Sequence, residues 1–302
     1  MVGRTGSVVV GVDGSASGCD AVDWAAAEAA TRHRPLRIVH AYTAPLPWDP
    51  FGVVSLGHDD CGTTRSAAQV LDTAVRRVRA VASDIEVTTR LVRGATVPAI
   101  LAQTEETDLL VLGSRGLGGL RGLLAGSVSG RVITRAACPV VLVRPYRTVA
   151  PGPSAARVVV GVVGFAQSTR AIEFAVHAAA QRGVGVTAVH AWTPPGPVDF
   201  STVADDVSAA EGIERRALEE ALTEWRDGFA GVDITARLVR GRPDEVLVAE
   251  SAGAALVVIG SRGLGGVRGA LLGSVSQGVV RRASGPVAVV RPRHESPLGT
   301  FL

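Results

Sequence analysis

Short runs of β-branched, apolar residues recur along the chain and alternate with stretches of helical spacing. In the first half, the runs VVVGV, LLVLG and VVLV are apolar without alternation. Strands of this kind are typical of a parallel sheet that is buried on both faces. The predicted strands are Ser7–Asp13, Leu36–Tyr42, Ile85–Val92, Asp108–Gly113 and Pro139–Arg144.

Between these runs, apolar residues follow the period of amphipathic helices. The longest such stretch in the second half predicts a helix near Val207–Trp225. Its predicted buried face is Ala210, Ile213, Ala217, Leu218, Ala221 and Trp225. Because strands and helices alternate, the sequence predicts an α/β fold with a doubly wound parallel sheet.

The pattern is written twice along the chain. Residues 7–30 match residues 157–180 at a constant offset of 150, and 14 of 17 positions are identical between 113–129 and 260–276. A repeat of about 150 residues indicates domain duplication, because solenoid repeats span about 20–50 residues. We therefore expect one domain at 1–146 and a second at 157–293, joined by a small, proline-rich linker.

Composition excludes several classes of function. All 31 cationic residues are arginine and the net charge is +3. A P-loop, a protein-kinase site and a Schiff-base site each need a lysine, so none is expected. Without a basic stripe or an aromatic platform, we expect no nucleic-acid partner. No apolar run approaches the roughly 18 residues of a membrane span, and the N-terminus has no secretory signal, so we expect no membrane partner and a cytoplasmic location.

Cysteine and histidine spacing gives no sign of disulfide or metal chemistry. Cys19, Cys61 and Cys138 are widely spaced and form no CxxC pair, so we interpret them as small buried hydrophobic residues. His40 and His190 occupy matching positions at the end of the second strand of each copy. We interpret them as hydrogen-bonded histidines rather than catalytic ones, and we predict no metal ligands.

A glycine-rich loop follows the fourth strand of each copy and leads into a helix. Gly113 and Gly116 would allow close backbone approach to a ligand or positive φ. Gly126 and Ser127 stand where unpaired helix N–H groups and the helix dipole favour an anion. A flexible loop with a capping serine is the alternative. The spacing Gly-x2-Gly-x9-Gly-Ser recurs at 260–274 and matches neither a P-loop nor a dinucleotide fingerprint.

The segments VVVGVDGS, VHA, LLVLGSRGLGG and GSVS together resemble the universal stress protein family in its tandem two-domain form. The resemblance implies two five-stranded parallel sheets related by a pseudo-twofold axis, with ATP, with or without magnesium, between strands one and four of each. It also implies a stress-response or regulatory protein whose nucleotide state modulates assembly or partner binding. A slow ATPase or phosphotransfer enzyme, or a nucleotide-free interaction protein, stays open as an alternative.

The resemblance also implies which residues bind the nucleotide. Asp13 would reach the adenosine or its metal, and a turn or N-cap role before the first helix is the less favoured alternative. Arg115 would pair with phosphate or stay a solvated loop charge. The expected cofactor-binding residues are Gly11, Asp13, Gly94, Gly113, Arg115, Gly116, Gly126 and Ser127 in the first copy, and Gly161, Gly241, Gly260, Gly263, Gly273 and Ser274 in the second. No catalytic residue is assigned.

The second copy departs from the family pattern at the end of its first strand. Val163 stands where the first copy has Asp13, and Phe165 stands where it has Ser15. We therefore expect weaker nucleotide binding in the second domain.

The last strand of each copy, Pro139–Arg144 and Pro286–Arg291, should lie at a sheet edge. An exposed apolar edge needs a partner, and the two copies are tethered at high effective concentration. We expect the domains to pair through these strands within one chain. We also expect a homodimer of chains and a regulatory protein partner.

Overall fold

The computed structural model describes residues 6–43, 61–105, 107–114, 127–144, 150–193, 203–261 and 272–291. The chain divides into two compact units near residue 148. Arg115, Gly116, Gly126 and Gly263 lie outside the described residues.

Strands and helices alternate through the first unit. Its described elements are β1 (Ser7–Val12), α1 (Ala16–Arg32), β2 (Leu36–Tyr42), α2 (Cys61–Val81), β3 (Val87–Arg93), α3 (Thr96–Leu101), β4 (Thr107–Gly113), α4 (Ser127–Ile133) and β5 (Val140–Val143). The strand order is β3-β2-β1-β4-β5, and every pair is parallel.

From β1 the chain adds β2 and β3 on one side, and it then adds β4 and β5 on the other side. The direction in which strands are added therefore reverses between β1 and β4. Right-handed crossovers therefore place α1 and α2 on one face of the sheet and α3 and α4 on the other. All six residues of β1 are buried, as expected for a central strand covered on both faces. Ligands of open α/β sheets bind outside the carboxyl ends of the strands at such a reversal.

The second unit repeats this arrangement. Its described elements are β6 (Val158–Gly161), α5 (Phe165–Arg182), β7 (Val186–Trp192), α6 (Val203–Gly228), β8 (Ile234–Arg240), α7 (Pro243–Glu250), β9 (Leu256–Gly260), α8 (Ser274–Arg282) and β10 (Val287–Val290). The order is β10-β9-β6-β7-β8, again all parallel. The all-parallel strand order of each unit confirms the predicted tandem α/β fold. No described helix is long and apolar enough to cross a membrane.

The predicted buried face of α6 is wrong at Ile213. Leu218 and Leu222 are 1% and 0% exposed, whereas Ile213 is 65% exposed. At about 100° per residue, Ile213 points about 140° away from Leu218 around the helix. The apolar spacing therefore combined residues from two sides of the helix.

The proline-rich segment between the repeats packs against the second unit over its described residues. The Gly152 N–H donates to the Ala252 carbonyl at 2.8 Å, and the Ala156 N–H donates to the Gly253 carbonyl at 2.7 Å. Ser154 is 1% exposed, and its hydroxyl donates to Glu250 Oε2 at 2.6 Å. From residue 150 onward the segment is therefore anchored and differs from the free linker that its composition predicts.

Two cysteines have described side chains, and their environments differ. Cys138 is buried beside β5, and this burial raises the pKa of its thiol to about 12. Cys19 is half-buried in α1. The interpretation as a small buried hydrophobic residue is therefore confirmed for Cys138, whereas Cys19 is only partly buried. The Cys61 side chain lies outside the described residues.

We predict that Cys138 resists alkylation in the native protein at pH 8, whereas Cys19 reacts. The thiolate is the nucleophile, and a raised pKa leaves almost none of it at that pH. Peptide mass spectrometry after iodoacetamide treatment, before and after unfolding in guanidinium, checks this. Equal modification of both cysteines in the native protein would contradict it.

Burial of Cys138 also makes stability depend on pH. Because the pKa of the Cys138 thiol is raised in the folded state, the thiol stabilises the fold below about pH 9, and that contribution is lost as pH rises towards 12.

Candidate functional site

The turn between β1 and α1 is built from Asp13, Gly14 and Ser15. The Ser15 N–H donates to Asp13 Oδ1 at 3.0 Å, and the Gly18 N–H donates to Ser15 Oγ at 3.0 Å. Gly14 has a φ of +81°, which a glycine adopts without strain. Ser15 is the N-cap of α1. Asp13 therefore acts as a turn residue through Oδ1, and it does so at the carboxyl end of the central strand.

A histidine at the end of the second strand is tied to this turn in both units. In the first unit, His40 Nδ1 donates to the Val12 carbonyl at 2.7 Å, and His40 is 9% exposed. In the second unit, His190 Nδ1 donates to the Val162 carbonyl at 2.8 Å, and its Nε2 lies 3.2 Å from Glu214 Oε2. These bonds confirm the interpretation of both side chains as hydrogen-bonded histidines.

Gly94 and Gly241 follow the third strand of each unit in matching conformations. Their φ angles are +140° and +146°, and their N–H groups donate at 2.9 Å to Tyr42 and Trp192 carbonyls. A Cβ on Gly94 would meet no atom of the described residues within 4 Å. Glycine is therefore required here by backbone conformation.

Gly113 ends β4 and faces the first turn of α1. A Cβ at Gly113 would lie 2.7 Å from the Ser17 carbonyl oxygen and 2.8 Å from its carbon. The close approach that Gly113 allows is thus to the protein's own helix, because the nearest atoms belong to α1. Helix α1 therefore packs directly against the end of β4, at the reversal of the strand order between β1 and β4.

Two other predicted glycines are buried in central strands and pack against leucine side chains. A Cβ at Gly11 would lie 2.6 Å from Leu112 Cδ2, and one at Gly161 would lie 2.9 Å from Leu247 Cδ1. Both glycines are buried within their strands. Packing against neighbouring leucines explains them without any ligand.

The helices after the glycine-rich segments begin at the predicted serines. Ser127 starts α4 and Ser274 starts α8. In the second unit, the Gly273 N–H donates to the Ser261 carbonyl at 3.1 Å, and Ser276 Oγ donates to the Gly260 carbonyl at 2.7 Å. These two bonds tie the start of α8 to the end of β9.

A cavity of about 230 Å³ opens beside the Asp13 turn, between α1 and α2. Val12, Gly14 and Cys19 line it on one side, and Val70 lines it on the other. Helices α1 and α2 are joined near it by the Arg77–Asp23 ion pair. The hydrogen bond that Arg77 donates to the Asp23 carboxylate raises the pKa of Arg77 above its usual value. The residues of α2 are absent from the predicted site, because their sequence shows only a helical pattern.

The first turn of the second unit is held by a different side chain. Ser168 is 5% exposed; its Oγ accepts from the Val163 N–H at 2.9 Å and lies 3.2 Å from the Val163 carbonyl, to which it can donate. Val163 and Ser168 correspond to Asp13 and Gly18 at the offset of 150. Sequence reasoning noticed the first difference and missed the second, although the repeat alignment displays both.

The described residues contain no group of three His, Cys, Asp or Glu side chains that could hold a metal ion. The structure brings Asp13, Gly94, Gly113 and Ser127 to the carboxyl-terminal side of the first sheet, each at the end of a strand or the start of a helix. Gly241, Gly260, Gly273 and Ser274 take the corresponding places in the second unit.

Known proteins resemble this chain in both sequence and fold. The sequence profile of the Universal stress protein family matches residues 5–144 and 155–291. Universal stress protein Rv2005c of Mycobacterium tuberculosis is 38% identical over 294 residues, which cover 94% of this chain and 96% of that protein. Universal stress protein Rv2623 of the same organism is 35% identical over 295 residues, with the same coverage of both proteins.

A solved structure extends the likeness to the architecture. The crystal structure of a universal stress protein from Archaeoglobus fulgidus superposes with a TM-score of 0.67 at 20% identity, and the match covers 96% of this chain and 99% of that one. At this identity the likeness concerns the fold alone. Because the family profile matches twice and spans most of the sequence, this chain belongs to the universal stress protein family, as a tandem two-domain member.

Proposed function

We propose that the first unit binds ATP, with or without magnesium, at the carboxyl-terminal edge of its sheet. The observation that carries the proposal is the convergence of four strand ends at the reversal between β1 and β4. Asp13 follows β1, His40 lies near the end of β2, Gly94 follows β3 and Gly113 ends β4. Parallel sheets bind nucleotides at such a position.

The residues at this edge fit the parts of an adenine nucleotide. The carboxylate of Asp13 is a hydrogen-bond acceptor and a cation ligand, suited to an adenosine donor group or to a metal on the phosphates. The backbone of Val39–Ala41 would frame the adenine. The segment from Gly113 to Ser127 would approach the ribose and phosphates. Its glycines would leave backbone N–H groups accessible to an anion. These N–H groups would take the place of a phosphate-binding lysine, a residue that this chain lacks.

The second unit should bind the nucleotide more weakly. Its turn has the same positive-φ glycine, with φ of +62° at Gly164, but Val163 provides no carboxylate. The hydroxyl of Ser168 completes the turn with a neutral group. A missing hydrogen bond to a charged group corresponds to about 1.5–3 kcal/mol of binding free energy.

The proposed role is regulatory. Nucleotide occupancy would alter the assembly of the chain, as a homodimer in the cytoplasm, or its binding to a regulatory protein. Mass spectrometry of small molecules released from freshly purified protein tests the first step. An adenine nucleotide is the expected result, with at most slow ATP hydrolysis in a turnover assay. Absence of any nucleotide, together with no uptake of added ATP, would instead favour a nucleotide-free interaction protein.

The proposed pairing of the two domains through their final strands gives a separate prediction for β5. The carbonyl of Pro139 accepts the Leu110 N–H of β4 at 3.0 Å, and the carbonyl of Val143 accepts the N–H of Ser114, the residue after β4, at 2.9 Å. Because alternate residues of a strand point their backbone groups to opposite sides, the Leu142 N–H faces away from β4. Leu142→Pro should therefore spare the β4–β5 ladder and abolish any further strand pairing through β5.

We expect Leu142→Pro to separate the two domains, as an increase in radius of gyration by small-angle scattering and faster protease cleavage between them. Leu142→Ala, which keeps the N–H, is the matched control and should stay compact. If Leu142→Pro scatters and resists protease as the wild type does, the proposed pairing through the final strands is wrong.

A further inference from the structure

The turn that carries Asp13 is stabilised differently in the two units. In the first unit the carboxylate of Asp13 accepts the Ser15 N–H. In the second unit, the buried Ser168 hydroxyl accepts the backbone N–H of Val163, the residue in place of Asp13. In each turn a side chain therefore accepts a backbone N–H of the turn, and the two units supply that side chain from different positions.

Gly18 leaves the space that the Asp13 carboxylate occupies. A Cβ on Gly18 would lie 2.9 Å from Asp13 Oδ1 and 3.6 Å from the Asp13 backbone nitrogen. The first distance is shorter than real Cβ contacts allow, so the carboxylate would have to move. The second distance matches a serine hydroxyl that reaches the backbone N–H of residue 13, as Ser168 reaches Val163.

A carboxylate at position 13 in its present orientation and a side chain at position 18 therefore exclude each other. The fold tolerates both solutions, because the second unit keeps its positive-φ glycine and its helix after the turn. The displaced atom would be the end of a flexible side chain, so the substitution changes the orientation of Asp13 at little cost to folding.

We propose that Gly18 is a positioning residue for nucleotide binding, and that the pairs Asp13/Gly18 and Val163/Ser168 set which unit accepts ATP. This inference rests on the proposed function. Gly18 acts through Asp13, by keeping its carboxylate in the orientation that serves the strand-end site. Ser168 commits the second unit to a neutral turn, so that Val163→Asp alone would not recreate the first site.

A double-mutant cycle in the full-length chain tests the proposal. ATP affinity is measured by titration calorimetry, and stability by thermal melting, for Asp13→Val, Gly18→Ser and the double variant. Each single substitution should weaken ATP binding about tenfold, the low end of what one hydrogen bond to a charged group contributes. The double variant should bind no more weakly than Asp13→Val, and it should melt above it, because the serine hydroxyl then bonds the backbone of residue 13. Gly212→Ser in α6 is the control, since a Cβ there meets no described atom within 4 Å.

The outcomes separate this inference from the proposed function. If the wild type takes up no ATP, or if Asp13→Val leaves its affinity unchanged, the proposed function of Asp13 fails. If Asp13→Val weakens binding while Gly18→Ser binds as the wild type, the positioning role is wrong. Effects of the two substitutions that simply add in the double variant would also overturn it, because mutual exclusion requires them to be non-additive.

Discussion

Gly113→Val should destabilise the first unit by about 3 kcal/mol, the upper end of typical overpacking costs, because the new side chain meets backbone atoms that cannot rotate away. The new Cβ would lie 2.7 Å from the Ser17 carbonyl oxygen. That oxygen belongs to the backbone of α1, so it cannot rotate away as a side chain could. The helix would have to leave the end of β4.

Hydrogen exchange followed by mass spectrometry measures this effect in the full-length chain, where a single free energy of unfolding is not defined for two units. Peptides of β1 and β4 should lose protection in Gly113→Val and keep it in Gly62→Ala. Gly62 is the control because a Cβ there meets no described atom within 4 Å, and alanine favours the helix. Wild-type protection in Gly113→Val would show that α1 does not pack on Gly113 as described.

Glu250→Ala should destabilise the second unit by about 2–3 kcal/mol, because it leaves buried polar groups without their acceptor. The Glu250 side chain is only 3% exposed. It accepts from Arg237 Nε at 2.7 Å and from Ser154 Oγ at 2.6 Å. The Arg237 side chain is 42% exposed, so in the variant water can replace part of its interaction with Glu250. Ser154 is 1% exposed, so water cannot replace the acceptor that its hydroxyl loses.

Thermal melting and hydrogen exchange of the second unit check this result. Glu219→Ala is the matched control, because Glu219 pairs with Arg226 at 2.8 Å on an exposed stretch of α6 and should contribute little. Ser154→Ala should cost about 1 kcal/mol, and its effect should shrink in the Glu250→Ala background, since the two groups share one bond. Equal melting of Glu250→Ala and wild type would contradict the anchoring of residues 150–156 through this carboxylate.

The sequence was sufficient to predict strands such as β1 and β5, because they are buried throughout and apolar at nearly every position. The predicted β2, Leu36–Tyr42, matches the structure at both ends. Helical faces were harder to predict. Ile213 lies on the exposed side of α6, since an apolar residue at roughly helical spacing can belong to either of two adjacent stripes.

The roles of the glycines could not be predicted from composition. A glycine at a strand end can serve a ligand, a positive φ or a neighbouring element. The structure assigns the third role to Gly113 and the second to Gly94. Gly18 escaped notice for the same reason, because its importance depends on a distance to Asp13 that no single position reveals.

The most direct test of nucleotide binding is calorimetric titration of the full-length chain with ATP, with and without magnesium. We expect one tight site per chain in the wild type and an affinity about tenfold lower in Asp13→Val. Asp227→Val, at an exposed position of α6, is the control and should bind as the wild type does. No binding of ATP at any concentration tested, or two equivalent sites that Asp13→Val leaves unchanged, would contradict an ATP site at the strand ends of the first unit.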